Sequence, residues 1–409
     1  MLKRFCVRNV YSFGGREDVQ TEEFSMIGGH EKLKKFSMVY GANASGKSNL
    51  VKALELMRRI ILDGLSEKDA RKYCKTEPRN KNRPSLFEIE VVLDGKSYDY
   101  GFEVILSQGR FVSEWLVDDS QNVLFQRDIQ QGVYSLGGKL NEKGLMERLK
   151  IYLSDVSDDD SVLFLSLINR NKKNFYTKHL SAAPLLDIYH WFDESLRIIY
   201  PDQSLVVYPY LKNTNQIIKV CNLLSSFGIG ITDFELFPAD LEQLVHDLSP
   251  IQKKEILAEI EKQQIMLRKN KEMEESHLLM RTRKDFFLIS MDKSSNIECQ
   301  TISFLHGESG VPFSLGEESD GTVWLLDLLE ILMEGGRKTF VVDDFDLPLH
   351  PNLSQKFLKT FGLSQGRDVQ LIVTTHESKL LDSFQSDEIC VVRKGKNGDS
   401  IIQKKEGIH

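Results

Sequence analysis

The run Gly41-Ala-Asn-Ala-Ser-Gly-Lys-Ser48 constrains the fold more than any other stretch of this chain. It fits the phosphate-loop pattern G-x-x-x-x-G-K-[ST] at every fixed position. Lys35–Tyr40 before it carries Phe36, Met38, Val39 and Tyr40, as a buried strand would. From Lys47 onward, Leu50, Val51, Leu54 and Met57 recur at helical spacing. Gly41 and Gly46 let the backbone turn its N–H groups inward, and the following helix presents its positive dipole end to the same point. Lys47 would reach the β- and γ-phosphates, and the Ser48 hydroxyl would hold Mg²⁺. The expectation is a nucleoside triphosphate bound at a strand–loop–helix junction.

Such a loop needs a metal-holding carboxylate at the end of a neighbouring buried strand. Thr339-Phe-Val-Val-Asp-Asp344 supplies one. Asp343 would sit beside Mg²⁺ and Ser48, with Asp344 facing the attacking water. A second apolar strand, Gln370–Thr375, ends in His376-Glu377, where a histidine can contact the γ-phosphate or its water. Upstream, Glu318-Ser-Asp-Gly-Thr322 opens an amphipathic helix through Val323, Leu325, Leu326, Leu328, Leu329, Ile331 and Leu332. Ser319 with Gly321 at that helix start reads either as a second anion-binding end or as an ordinary cap.

A chain of 409 residues exceeds one ordinary core, so two or three domains are expected. Apolar residues at 41% and charged residues at 28% suit a globular protein. No run of 18 apolar residues occurs, and Arg8 and Asn9 interrupt any leader-like stretch, so a cytoplasmic protein without membrane segments is expected. The five cysteines lack metal-ligand spacing and read as thiols in a reducing compartment. Net charge is −7, so nucleic acid is not implied by overall balance. Positive charge is local: Lys68, Arg71, Lys72, Lys75, Arg79, Lys81 and Arg83 form one cluster, and Arg170, Lys172, Lys173 and Lys178 a second. Either suits phosphates or a solvated loop. Asp158-Asp-Asp160 reads as a solvated helix start rather than a metal or nuclease site.

Phe87–Leu93, Tyr98–Leu106 and Arg110–Val117 alternate apolar and polar residues around Asp94-Gly95 and Gln108-Gly109 turns. From about Ser161 to Lys284 the pattern turns mostly helical, as in Ala183–Tyr200, Thr214–Phe227 and Pro250–Met280. Strand character returns at Phe286–Met291 and Cys299–Leu305.

The order of these motifs resembles the ABC-type head ATPases, whose relatives include the SMC and RecF proteins. More closely it resembles the bacterial AAA-family ATPases of the abortive-infection and overcoming-lysogenization-defect group. The matching residues are Asn9–Phe13, Gly41–Asn49, Tyr98–Phe102, Glu318–Thr322, Leu349–Pro351 and Thr374–Glu377. The resemblance implies an α/β ABC-type ATPase head. Its lobes, residues 1–150 and 296–409, would form one mixed-sheet nucleotide-binding domain around an inserted, mostly helical domain at 151–295. ATP and Mg²⁺ are the implied cofactors. Gly41, Asn43, Ser45, Gly46, Lys47, Ser48 and Asn49 would hold ATP in one subunit. Ser319, Gly321 and Thr322 would close over it from another, with Asp346 and Leu347–His350 lining the interface. A homodimer or higher homo-oligomer through the heads follows.

Relatives commonly carry Glu where Asp344 stands. The shorter side chain falls short by roughly 1.5 Å, a misplacement that can cost about a hundredfold in rate, so slow turnover is expected. The resemblance further implies a sensor or scaffold in bacterial antiphage defence that controls a separate effector, a nuclease or toxin. Overcoming-lysogenization-defect proteins carry their own nuclease after the ATPase, whereas the 33 residues after His376 hold no acidic cluster for catalytic metals. The alternative is a RecF/SMC-like repair or recombination ATPase that touches DNA through the basic clusters. A transporter subunit fits poorly with a fused helical middle and no membrane segment.

Overall fold

The computed structural model describes all residues except 15–20, 29–31, 138–139, 141, 143, 171–172, 209–213, 247, 271–272, 295, 309, 334, 364–367 and 405–409. The chain divides into two units. The first comprises Met1–Ile199, Gly335–Phe345 and Arg367–His409; the second comprises Tyr200–Glu334 and Asp346–Gly366.

Apolar strands with no polar face must be covered on both sides, which is the condition for a buried parallel sheet. Phe36–Tyr40, Lys338–Val342 and Val369–Thr375 meet it, and they lie in one six-stranded sheet of the first unit. Its order is Ser400–Lys404, Ile389–Lys394, Phe36–Tyr40, Val369–Thr375, Lys338–Val342, Leu196–Ile199. Only the Ser400–Lys404 strand runs antiparallel to its neighbour. The strand leading to His376 therefore separates the phosphate-loop strand from the Asp343 strand. All three candidate segments emerge at the carboxyl edge, where ligands of open parallel sheets bind.

A seven-stranded antiparallel sheet completes the strands of this unit. Its order is Glu22–Ser25, Leu2–Arg8, Ser85–Leu93, Lys96–Ile105, Arg110–Asp118, Val123–Asp128, Val133–Leu136. The hairpins expected around Asp94-Gly95 and Gln108-Gly109 are present. Asp94 and Gly95 take φ 49° and 78°, as a two-residue turn between twisted strands requires. Buried Gln370 stitches the two sheets together: its side chain accepts from the Leu2 amide (2.8 Å) and donates to the Leu2 (2.8 Å) and Lys34 (2.9 Å) carbonyls.

Two expectations about the middle of the chain are corrected. Ala183–Tyr200 is not one helix: Ala183–His190 is helical, Trp191–Ser195 forms a π-turn, and Leu196–Ile199 is a strand. The β-branched Ile198 and Ile199 pair in parallel with Val341 and Val342, a tertiary gain that overrides helical spacing. Residues 151–199 thus complete the first unit rather than opening an insert. The Pro250–Met280 helix ends at Lys269, and Glu275–Arg281 is a strand.

The second unit therefore holds a sheet as well as helices. An antiparallel sheet runs through it in the order Val206–Val207, Glu275–Arg281, Phe286–Asp292, Ile297–His306, Ile231–Ala239, with Pro312–Phe313 on the fourth strand. Ile256, Ile260 and Leu267 of the Pro250–Lys269 helix pack on Leu278, Met280, Phe287, Ile289 and Met291 of this sheet. Among the described residues, no helix is long and apolar enough to cross a membrane.

Candidate nucleotide site

The loop after Tyr40 is shaped by what lies beneath it. A Cβ at Gly41 would come within 2.4 Å of the Val392 carbonyl, and one at Gly46 within 2.1 Å of Ser400 Oγ. Both glycines are therefore required by the C-terminal hairpin, Ile389–Lys404, that floors the loop. Gly46 also takes φ 114°, in the left-handed region that favours glycine. Ser400 is buried; its hydroxyl donates to the Ser45 carbonyl (2.6 Å) and meets the Ser12 hydroxyl (2.8 Å). The Asn49 side chain donates to that same Ser12 Oγ (2.8 Å), so Asn49 holds the loop from inside. Asn43 is exposed.

Lys47, buried at the start of the Lys47–Asp63 helix, folds back so that Nζ donates to the Gly41 (2.8 Å) and Ala42 (3.2 Å) carbonyls. That helix has no side-chain cap, which leaves its first N–H groups without the partner a capping residue supplies. Ser45 Oγ is buried and has no hydrogen-bond partner among the described residues. An uncapped helix start beside an orphaned hydroxyl fits a phosphate group.

The two acids are set by one residue. Buried Thr374 donates from Oγ1 to Asp343 Oδ1 (2.7 Å) and accepts from the Asp344 amide (2.8 Å). Its carbonyl accepts from the Phe345 amide (3.0 Å). Asp344 is held at φ 44°, a conformation non-glycine residues rarely adopt. Such strain persists only where the surroundings over-determine it, and here Thr374 does so. His376 is exposed one residue beyond the end of the Val369–Thr375 strand. Among the described residues no three His, Cys, Asp or Glu cluster as metal ligands. Ser48 and the buried Asp343 suit Mg²⁺, which takes one or two protein ligands and the rest from phosphates and water.

Ser319, Gly321 and Thr322 belong to the second unit. Ser319 caps its helix: Oγ accepts from the Thr322 amide (3.1 Å) and lies 2.9 Å from Thr322 Oγ1. The capping reading thus describes this geometry. A Cβ at Gly321 would come within 2.9 Å of the Pro348 carbonyl, so glycine lets the Asp346–His350 segment approach. Asp346 is buried, while Leu347 is exposed. Glu318 meets His306 (Oε1 to Nε2, 2.6 Å). The helix is anchored at mid-length, where buried Asp327 accepts from Arg281 Nε (2.7 Å) and from the Tyr208 hydroxyl (2.6 Å). Arg281 Nη2 closes the pair on the other carboxylate oxygen.

Sequence reasoning placed Ser12 and Thr374 in matching motifs without a role for either, and it did not single out Ser400 or the Arg281–Asp327–Tyr208 triad. A charged Asp inside the apolar run Val323–Leu332 was the available signal for the triad. The acidic run is structural: Asp159 accepts from Ser161, and Asp160 pairs with Arg110. Arg127 gathers the Val156, Asp159 and Val162 carbonyls around it. All five cysteines are buried and free. Lys172 lies outside the described residues, as does the Lys173 side chain.

A phosphate loop, a buried strand-end carboxylate and an intervening strand at one sheet edge define a P-loop nucleotide-binding fold. Residues 36–382 match the family described as "AAA domain, putative AbiEii toxin, Type IV TA system". The chain belongs to that family, an AAA ATPase family, and the resemblance read from the motifs holds at that level. No curated protein matches the chain. Among solved structures, it is similar to the SMC head bound to the C-terminal winged-helix domain of ScpA. There identity is 14% and the TM-score 0.43, over 98% of this chain and 97% of that one. It is also similar to the SMC head domain from Thermotoga maritima, at 13% identity and TM-score 0.38, over 99% of each chain. The SMC head with an extended coiled coil, bound to a ScpA domain from Pyrococcus furiosus, gives 14% and 0.37, over 98% and 95%.

Proposed function

We propose that this protein binds ATP with Mg²⁺ at the Gly41–Asn49 loop and hydrolyses it slowly. In this reading two copies pair so that Ser319, Gly321 and Thr322 of one close over the nucleotide of the other. The observation that carries it is the Thr374 hydroxyl, which fixes the Asp343 carboxylate and the Asp344 backbone at the edge where the loop opens. Mg²⁺, when bound, offsets phosphate charge and is held by Ser48 and Asp343. Lys47 leaves the Gly41 and Ala42 carbonyls to meet the β- and γ-phosphates, and Asn43 and Ser45 face the same chain of oxygens. Asp344 orients and deprotonates the attacking water, and His376 contacts that water or the γ-phosphate. The reach lost with aspartate at 344 keeps turnover below about 1 s⁻¹, so the ATP-held pair lasts long enough to act as a switch.

The switch controls a separate effector, a nuclease or toxin, in bacterial antiphage defence within the cytoplasm. Support for that role is the AbiEii toxin and Type IV TA description of the family. Sedimentation with ATP and Mg²⁺ tests the pairing. The wild-type chain dimerises, Ser319→Arg stays monomeric while still binding ATP, and Asp344→Asn dimerises persistently. A Ser319→Arg chain that dimerises with ATP removes the reading.

A further inference from the structure

The cations after the phosphate-loop helix have no part in the nucleotide site, yet the first unit mounts them with care. Buried Asn9 donates from Nδ2 to the Asn80 (2.8 Å) and Arg83 (3.0 Å) carbonyls and accepts from the Cys74 amide (3.2 Å). The Tyr11 amide, in a residue held at φ 51°, donates to the Lys72 carbonyl (2.7 Å). Ser107 Oγ donates to the Lys81 carbonyl. At the other end buried Asp69 accepts from the Ser66 amide (2.9 Å), pairs with Lys72 (3.0 Å) and reaches Arg59 of the Lys47–Asp63 helix (2.6 Å). Desolvation would raise the Asp69 carboxyl, but the Ser66 hydrogen bond, Arg59 and Lys72 outweigh it and hold its pKa below the usual value. Fixing a backbone costs about 1–2 kcal/mol per residue, which a merely solvated loop has no reason to incur.

The bracing decides which cations face out. Lys72 is taken by Asp69, and Arg83 faces Glu77 at 3.6 Å. Lys68, Arg71, Lys75, Arg79 and Lys81 remain exposed. Glu67 and Glu77 are the segment's other acids, so residues 66–83 carry a net charge of +4 in a chain of net −7. One member of the second basic cluster, Arg170, comes close to this segment. Arg170 Nη2 lies 3.9 Å from the Cβ position of Gly64, two residues before the segment and next to exposed Asp63. The segment's one aromatic, Tyr73, is half-buried, so nothing there offers a stacking platform for bases.

We infer that this braced basic surface docks the phosphodiester backbone of a nucleic acid, independently of its base sequence. The inference is separate from the nucleotide reading, because its test changes Lys75 and Lys81, neither of which that reading uses.

Fluorescence anisotropy on the full chain tests it, with a labelled DNA duplex and a labelled single-stranded RNA of about 30 nucleotides. The titrations span about 50 to 200 mM KCl; each phosphate contact steepens log K against log salt by about 0.9 for duplex and about 0.7 for single strands. Lys75→Glu with Lys81→Glu should flatten the duplex slope by about 2 and weaken binding at least tenfold, while Lys96→Glu, elsewhere on this unit, changes neither. The probe bound more tightly at the same salt identifies the source of the backbone. Lys75→Gln with Lys81→Gln supplies the same slope test if the reversed pair does not fold. An unchanged slope in the variant that folds overturns the proposal. So does displacement of the probe by poly-glutamate at equal charge, which would mark an acidic protein as the partner.

Discussion

The phosphate-loop helix and the Asp320–Met333 helix both begin at small residues, yet they are secured in opposite ways. The first begins at Gly46 with no side-chain cap, and its support comes from below, through Ser400, Ser12 and Asn49. The second spends its own Ser319 hydroxyl as a cap and is fixed at mid-length by Asp327 in the grip of Arg281 and Tyr208. An uncapped helix start keeps its N–H groups for a ligand, whereas in the capped one the Ser319 oxygen already accepts from the Thr322 amide. The contrast is between a helix start held open by its surroundings and one closed by its own side chain.

The largest test concerns the second helix's anchor. Arg281→Met leaves Asp327 buried without its cation and should cost about 3–5 kcal/mol, read as a lower urea midpoint. Arg281→Met with Asp327→Leu and Tyr208→Phe should recover most of that loss, since replacing a whole buried polar network by apolar groups is often neutral. If the single variant is as stable as wild type, the mid-helix anchor is not what secures this helix.

Thr374→Val comes next and probes the first unit. It removes the donor to Asp343 and the acceptor for the Asp344 amide, about 1–3 kcal/mol of support, so turnover should fall about tenfold to a hundredfold. ATP affinity, read by a fluorescent analogue, should change far less. A loss in affinity alone would mean that Thr374 positions the bound nucleotide rather than the acids.

Ser400→Ala gives the smallest effect. The Ser45 carbonyl loses a buried donor worth about 1 kcal/mol, so ATP binding should weaken about fivefold with the melting temperature little changed. Unaltered affinity would show that the loop needs the hairpin only for its shape, through Gly41 and Gly46.

Much of the first unit could be read from residues alone. Alternation in Phe87–Val117 gave the strands, and Asp94-Gly95 gave the tight turn, because a two-residue hairpin demands left-handed φ values there. The apolar runs before Asp343 and His376 gave buried strands for a similar local reason. Leu196–Ile199 was hidden, since four residues after a helix carry too little periodicity to announce a strand whose partner lies some 140 residues away. Glu275–Arg281 was absorbed into the preceding helical pattern in the same way.

Alone, the sequence determined the phosphate loop, its flanking strand and helix, and the acids at the strand ends. There the chemistry of an anion dictates residue type within a few positions. The tertiary structure alone decided that a hairpin near residue 400 floors that loop, that Thr374 ties Asp343 to Asp344, and that Arg281 holds Asp327. A hydrogen bond between residues tens to hundreds of positions apart leaves no local periodicity, so only the folded chain, having met the entropy of bringing them together, records it.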